Sequence, residues 1–217
     1  MVIELDDETK AQVLEIFDGL EHDVTLHVFV RDHECLYCGD TQALAESVAD
    51  LSDKVSVVVH RGEKGETKEA AQEMGVRYYP AIVIHGKEPY KIRFYGIPAG
   101  HEFGALVGSI TDASRGMTPL PPDVISDIQS VGKPVHVQVF TTPSCPYCPG
   151  MVRLAHQAAI INPLIESDMI EALEFRDLAT RYEVFGVPKT VFNEEVSIEG
   201  LTPPELFVEK LFEAEGL

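Results

Sequence analysis

Two Cys-x-x-Cys motifs, with no cysteine outside them, constrain this chain of 217 residues more than any other feature. The first motif runs from Cys35 to Cys38 and the second from Cys145 to Cys148. Each motif follows an apolar run that alternates like a strand, and each precedes a run whose apolar residues have helical spacing. The chain therefore must present each cysteine pair where a strand ends and a helix begins.

The two motifs belong to an internal repeat with an offset of about 110 residues. Each half reads helix, strand, helix, strand, helix, strand, strand, helix. Strands connected through helices are expected to pair in parallel, whereas the last two strands, joined by a short turn, must be antiparallel. We predict an α/β fold of two tandem units, each a four-stranded mixed sheet flanked by helices.

A segment rich in proline and glycine, residues 114–122, separates the two halves. We therefore predict an N-terminal unit at residues 1–116, which contains the first motif, and a C-terminal unit at residues 117–217, which contains the second. The segment is short, so we expect the units to pack together.

A proline follows each motif by about 40 residues and begins a strand-like run. These prolines lie in Tyr79-Pro80 and Val187-Pro188. A proline at the start of a strand is often only a strand boundary, but two at matched positions favour a shared role. A cis bond here would place the backbone of Tyr79 and Val187 near the sulfurs, where it could pair with an extended substrate segment.

The spacing of the cysteines is typical of thiol–disulfide exchange. A thiolate is the attacking species, and a helix N-terminus favours negative charge on a sulfur placed there. The second thiol, one turn later, can resolve the mixed disulfide. A single Cys₄ zinc site is the structural alternative, but the pairs are far apart in sequence and occupy equivalent places in two repeated units.

Composition excludes several classes of function. The formal net charge is −19 and the acidic residues are spread over both halves, which argues against nucleic-acid binding. No apolar run approaches the ~20 residues of a membrane helix, and the acidic start of the chain has no signal-like apolar core. We expect a cytoplasmic protein that needs no metal or bound cofactor.

These motifs resemble those of the protein disulfide oxidoreductases, a glutaredoxin-like family of archaea and thermophilic bacteria. The resemblance rests on a strand, a Cys-x-x-Cys that begins a helix, and a later strand-initiating proline, all present twice. The glutaredoxin-type Cys145-Pro146-Tyr147-Cys148 and the segment from Tyr95 to Phe103 add to it. The resemblance covers essentially the whole chain and implies two thioredoxin folds with one shared sheet.

The resemblance also implies roles for individual residues. Cys35 and Cys145 would be the nucleophiles, and Cys38 and Cys148 the resolving thiols. Pro80 and Pro188 match the family's cis-prolines, which makes Tyr79 and Val187 candidate substrate-binding residues. The implied partners are client proteins with thiols or disulfides, and a thioredoxin-reductase-like flavoenzyme as the electron donor.

The two motifs are not identical, and two other functions stay open. Leu36 replaces the proline of the second motif, so we predict that Cys145–Cys148 is the principal pair. Neither preceding strand carries the buried aspartate of thioredoxins, which leaves the proton acceptor unassigned. The alternatives are a chaperone-like peptide-binding module with auxiliary redox chemistry, and a glutathione-dependent glutaredoxin, for which only Lys189 and Arg153 are plausible anion-binding residues.

Overall fold

The computed structural model describes residues 5–216; residues 1–4 and 217, at the outer ends of the two predicted units, lie outside the described residues. The elements of the first half are α1 (Asp7–Phe17), β1 (Val24–Val30), α2 (Cys38–Ala49), β2 (Val55–Arg61), α3 (Glu66–Glu73), β3 (Ala81–His85), β4 (Ile92–Tyr95) and α4 (Glu102–Arg115). Those of the second half are α5 (Pro122–Ser130), β5 (Val135–Thr141), α6 (Cys148–Ile161), β6 (Ile165–Glu171), α7 (Arg176–Arg181), β7 (Lys189–Phe192), β8 (Val196–Glu199) and α8 (Pro204–Glu215).

The strands form one mixed sheet of eight strands in the order β2-β1-β3-β4-β6-β5-β7-β8. Each half contributes four neighbouring strands, with one parallel and two antiparallel pairings, so the predicted mixed sheets are confirmed. The halves join through parallel pairing of β4 with β6, in which Tyr95 lies opposite Ile170. The fold is therefore two repeated units on a shared sheet.

The pairing directions place both motifs at one edge of this sheet. Strands β1, β4, β6 and β5 run in one direction, whereas β3 and β7 run in the other. The ends of β1 and β5, which lead into the motifs, and the starts of β3 and β7, which follow the prolines, therefore share an edge. Four strand positions separate β1 from β5, which corresponds to roughly 19 Å at ~4.8 Å per position.

The hydrophobic core is continuous across the two halves. One cluster of buried side chains extends from Val13 of α1 to Leu211 of α8 and covers one face of the sheet. A smaller cluster on the other face contains Phe29 from the first half and Phe140 from the second. Strands β4 and β7 are buried on both faces, whereas the outer strand β8 alternates between partly buried and exposed side chains.

A buried ion cluster crosses the seam between β4 and β6. Arg93 of β4 is 1% exposed and donates from Nε to Asp168 and from Nη2 to Glu166, both on β6. Asp168 also accepts a hydrogen bond from His136 of β5, at 2.6 Å from Nε2. Burial acts to raise the pKa of Asp168, but Arg93 and the His136 hydrogen bond outweigh it and lower the pKa below its usual value. The buried arginine of the first half is therefore paired with carboxylates of the second half.

The helices within residues 5–216 include none that is both long enough and apolar enough to cross a membrane.

Candidate active sites

The C-terminal motif forms a disulfide at the start of α6. The Sγ atoms of Cys145 and Cys148 are 2.20 Å apart. Cys148 is fully buried and is the first helical residue, whereas Cys145 lies three residues earlier and is 7% exposed. The backbone N–H of Cys148 donates to Cys145 Sγ at 3.1 Å. A free N–H at a helix start, aimed at a sulfur, favours the negative charge of a thiolate there.

The N-terminal motif also forms a disulfide, but its hydrogen bonding differs. The Sγ atoms of Cys35 and Cys38 are 2.00 Å apart, and α2 begins at Cys38. Here the backbone N–H of Arg31 donates at 3.3 Å to Cys38, the second sulfur of the motif. The Arg31 guanidinium lies 5.9 Å from the Tyr79 ring centroid and pairs with Glu63 at 3.2 Å. Sequence reasoning missed Arg31, since it stands four residues before the motif.

Both candidate proline bonds, Tyr79-Pro80 and Val187-Pro188, are cis. The carbonyl oxygen of Val187 is 3.7 Å from Cys145 Sγ, which brings one predicted substrate-binding residue to its cysteine. In the first half, Tyr79, Pro80 and Cys35 line one groove. Across residues 5–216, the backbone of Tyr79 and of Val187 makes no backbone–backbone hydrogen bond. Apart from the contact of the Val187 carbonyl with Cys145, these backbone groups are therefore available to pair with another chain.

The N-terminal disulfide lies in a groove of about 1360 Å³ with one wall from each half of the molecule. The first half contributes Arg31, Cys35, the Tyr78-Tyr79-Pro80 segment and Ile97, among others. The second half contributes Pro143 and residues from the end of β6 to the first turn of α7, namely Glu171, Leu173, Glu174, Phe175, Arg176, Asp177 and Leu178. The shared wall follows from the strand order, because β6 lies next to β4.

The C-terminal disulfide has exposed aromatic neighbours in its own segments. Tyr147, within the motif, is 62% exposed, and Phe185, two residues before Val187, is 91% exposed. Large apolar side chains exposed beside a reactive group are a common feature of protein-binding surfaces.

A buried carboxyl group that sequence reasoning missed lies near the C-terminal motif. Glu102, the first residue of α4, is fully buried, and neither carboxyl oxygen has a hydrogen-bond partner among residues 5–216. Burial raises its pKa to about 8. The preceding residue, His101, donates from its backbone N–H to the carbonyl oxygen of Pro143 at 3.0 Å, two residues before Cys145. The start of α4 therefore lies beside the segment that leads from β5 into the C-terminal motif. In the sequence, Glu102 lies on the same helical face as the apolar residues of α4, and this spacing is the signal that could have identified it.

The two candidate anion-binding residues are already engaged. Lys189 of β7 is 9% exposed, and its Nζ donates to the carbonyl oxygen of Glu183 at 3.2 Å. Arg153 of α6 pairs with Asp112 of α4.

The sulfurs do not form the four-cysteine group of a single zinc site. Each cysteine pair is instead bonded within its own motif.

Comparison with known proteins agrees with this geometry. The family model described as a thioredoxin domain matches residues 135–213, within the second half. A protein disulfide oxidoreductase from Aeropyrum pernix K1 is 29% identical, with a TM-score of 0.90 over 99% of this chain and 96% of that chain. The chain has the thioredoxin fold, twice. The N-terminal domain of an alkyl hydroperoxide reductase from Enterococcus faecalis superposes with a TM-score of 0.88 at 24% identity, over 96% of this chain and all of that one, which shows the fold.

Curated relatives of this tandem thioredoxin-fold chain are larger proteins. The F component of the alkyl hydroperoxide reductase of Xanthomonas campestris pv. phaseoli is 24% identical over 209 residues, 95% of this chain and 37% of that protein. A protein named NADH dehydrogenase from Bacillus subtilis strain 168 is 26% identical over 192 residues, 88% of this chain and 35% of that protein. The chain thus spans about a third of the length of these relatives.

Proposed function

We propose that the chain is a protein thiol–disulfide oxidoreductase with two active sites, one in each of the units 1–116 and 117–217. The observation that carries this proposal is that each Cys-x-x-Cys disulfide lies at one edge of the sheet with a cis-proline and a free backbone segment beside it. The nucleophiles are Cys35 and Cys145, the more exposed cysteine of each pair.

The reaction in the reducing direction begins with a thiolate on Cys145, stabilised by the Cys148 N–H. The thiolate attacks one sulfur of a client disulfide; the other client sulfur leaves as a thiolate and takes up a proton. Cys148 then loses its proton and attacks Cys145 Sγ. The client's remaining sulfur leaves as a second thiolate, and the Cys145–Cys148 disulfide forms. The same steps in reverse oxidise a client dithiol, so the relative reduction potentials set the direction.

Glu102 is the proposed proton acceptor for Cys148. Its carboxyl is fully buried at the start of α4, where the preceding residue contacts the segment that leads into the C-terminal motif, and its pKa of about 8 is close to that of a thiol. Proton transfer between groups of similar pKa is efficient near neutral pH. The buried acid therefore comes from α4 of the first half but serves the site of the second.

The free Val187 and Tyr79 backbones are the proposed substrate-binding groups. The part of the client chain next to its reacting cysteine would pair, as a short extended strand, with the backbone of Tyr79 or of Val187. At the C-terminal site, Phe185 and Tyr147 would contact this strand. The proposed partners are thus client proteins, with a thioredoxin-reductase-like flavoenzyme supplying electrons in the cytoplasm. The relatives named for NADH oxidation and hydroperoxide reduction support an electron donor of this kind.

The test is a redox titration with thiol trapping and mass spectrometry, paired with insulin disulfide reduction. Each motif is expected to form its own disulfide, with its own midpoint potential. The wild type and Cys35→Ser/Cys38→Ser should reduce insulin readily, Cys145→Ser/Cys148→Ser should reduce it much more slowly, and the variant with all four serines should not reduce it. Thiols that stay reduced at every potential, or turnover by the four-serine variant, would contradict the proposal.

A second candidate function, a chaperone-like peptide-binding module, is favoured by the same free backbones and by the exposed Phe185. It predicts that the four-serine variant still suppresses aggregation of an unfolded client as well as the wild type does. The glutathione-dependent alternative has less support, because Lys189 and Arg153 are held by other groups.

A further inference from the structure

The groove at the N-terminal site contains a pair of carboxyl groups supplied by the second half. Glu171, the last residue of β6, is 3% exposed, and its Oε2 accepts the backbone N–H of Glu174 at 2.6 Å. Its Oε1 is buried without a hydrogen-bond partner among residues 5–216. Glu174 accepts the backbone N–H of Ile97 at 2.7 Å. Both side chains line the groove that contains Cys35.

A glycine of the first half permits this close approach. Gly96 follows β4 with a φ of 86°, and its N–H donates to the carbonyl oxygen of Pro80 at 3.1 Å. A Cβ at this position would come within 2.8 Å of Glu174 Oε1 and 2.7 Å of Glu171 Cβ. The carboxyl pair is thus fixed beside the segment that holds the cis-proline.

The carboxyl pair has no salt-bridge partner among the described residues. Nearby arginines are otherwise engaged, since Arg31 pairs with Glu63 and Arg77 pairs with Glu166. Arg176 donates from Nε to the carbonyl oxygen of Leu173 and only modestly favours ionisation of Glu171. These two desolvated carboxyl groups therefore line the groove without a salt-bridge partner among residues 5–216.

The strand order fixes the distance from this pair to the substrate-binding backbone. Tyr79-Pro80 precedes β3, and Glu171 ends β6. In the sheet, β6 lies two strand positions from β3. Two strand spacings correspond to about 10 Å, which an extended polypeptide spans in about three residues. The aromatic rings of Phe175 and Tyr79 line the same groove.

We propose that Glu171 and Glu174 form a subsite that binds a lysine or arginine side chain of the client, about three residues from the segment paired with Tyr79. The cation would supply the missing partner of the two carboxylates, and the aromatic rings would contact its alkyl stem or its charge. The inference rests on the proposed function and adds a substrate class to it: extended clients with a basic residue near the reacting cysteine.

This preference should weaken as the pH falls. Burial, then repulsion from Glu171, raises the pKa of Glu174 to about 7, and burial also raises the pKa of Glu171. Below these values a bound cation must displace a proton, so affinity for a basic client rises with pH through about 7. The other charged groups that face the groove are Arg31, Arg77 and Arg176, which favour the ionised pair, and Glu34, Asp40, Glu63 and Asp177, which oppose it.

The test uses the full chain with only the N-terminal site active, as Cys145→Ser/Cys148→Ser. Its substrates are unstructured peptides in which one cysteine forms a mixed disulfide with thionitrobenzoate, whose release is followed by absorbance. Lysine, glutamine or glutamate is placed two, three or four residues from the cysteine on either side. At one position, the kcat/KM of the lysine peptide should exceed that of the glutamine peptide about tenfold, mainly through KM, with glutamate lowest.

Glu171→Gln/Glu174→Gln keeps both hydrogen-bond acceptors but removes the charges, so the ratio of lysine to glutamine rates should fall to about one. Glu174→Gln alone should lower the ratio partly, should the double variant fail to fold. The matched control Glu205→Gln/Glu209→Gln, on exposed positions of α8, should preserve the ratio. Equal rates for the lysine and glutamate peptides, or a ratio that survives Glu171→Gln/Glu174→Gln, would overturn the subsite. Failure of every peptide to react would instead contradict the proposed function.

Discussion

The two disulfides share a motif and a fold but differ in what lies beside them. In the sheet order, β3 and β4 of the first half are followed by β6 of the second, so the N-terminal groove gains a wall from another unit. The corresponding strands of the second half, β7 and β8, end the sheet. Joining two copies in tandem therefore makes their sites unequal, because only one copy has a neighbour on its proline side.

The difference extends to the sulfurs. At the C-terminal site a helix N–H contacts Cys145, the proposed nucleophile, whereas at the N-terminal site the contacting N–H, from Arg31, reaches the second cysteine, Cys38. An N–H donor favours negative charge on the sulfur that it contacts. The arrangement agrees with the ranking of the two pairs, which stays a prediction.

The largest effect is expected from single replacements of the nucleophiles. Cys145→Ser should lower insulin reduction by about 100-fold or more, because it removes the better stabilised thiolate. Cys35→Ser should lower it by less than about tenfold. Steady-state insulin turnover with a chemical dithiol as the reductant measures both. The ranking is wrong if the larger loss accompanies Cys35→Ser.

Disruption of the seam tests whether the N-terminal groove depends on the union of the halves. Arg93→Leu removes the buried cation of Asp168, leaves only the more exposed Arg77 at 3.6 Å and His136 beside it, and should cost about 3–5 kcal/mol of unfolding free energy. Arg181→Leu, which breaks an exposed pair with Glu194, should cost at most about 1 kcal/mol. Urea denaturation measures both.

Where Arg93→Leu still folds, the N-terminal site should lose its preference for basic peptides, while the C-terminal site retains insulin reduction. Equal stability losses for the Arg93 and Arg181 variants would show that the seam is not held by its ion cluster.

Replacement of Glu102 should change the pH dependence of turnover at the C-terminal site but not at the N-terminal site. Glu102→Gln is expected to lower turnover of the C-terminal site alone by about tenfold near pH 7, since Cys148 loses its proton acceptor. A variant restricted to the N-terminal site should be unaffected. Stopped-flow reduction of a model disulfide from pH 5 to pH 9 gives both profiles, with Glu205→Gln as the exposed control.

Stability should change with pH in a direction that follows from the raised pKa of Glu102. Its pKa is about 8 in the folded chain and near 4.5 when unfolded, so the folded state binds the extra proton between these values. Its contribution to stability is therefore greatest at low pH and is lost as pH rises toward 8, by up to about 1.4 kcal/mol per pH unit. Glu102→Gln should abolish this loss; an unchanged slope in thermal unfolding would mean that Glu102 ionises normally.

The smallest effect concerns the open side of the C-terminal site. Phe185→Ser removes a ring that is 91% exposed, so folding should be unaffected while the KM for a protein disulfide rises about threefold. The exposed Met117, in the segment between the halves, offers Met117→Ser as a control with no expected change in KM. A KM that does not respond to Phe185→Ser would remove this ring from the client surface.

The sequence determined a good deal of this protein on its own. The repeat of strand, Cys-x-x-Cys, helix and proline predicted the element order, the mixed sheets and the two cysteine pairs, because these depend on local periodicity and on the short reach of two residues between sulfurs. The cis bonds at Tyr79-Pro80 and Val187-Pro188 followed from the resemblance. The boundary near residues 116–117 remains a prediction.

The groups that surround each cysteine pair depend on contacts between the two halves. Glu171 and Glu174 line a groove with residues of the opposite half, and no pattern within one half reveals such a neighbour. The parallel pairing of β4 with β6 is a long-range choice, since either half leaves an edge strand whose backbone can accept a partner. Local sequence thus specified two similar sites, and the pairing between halves made them different.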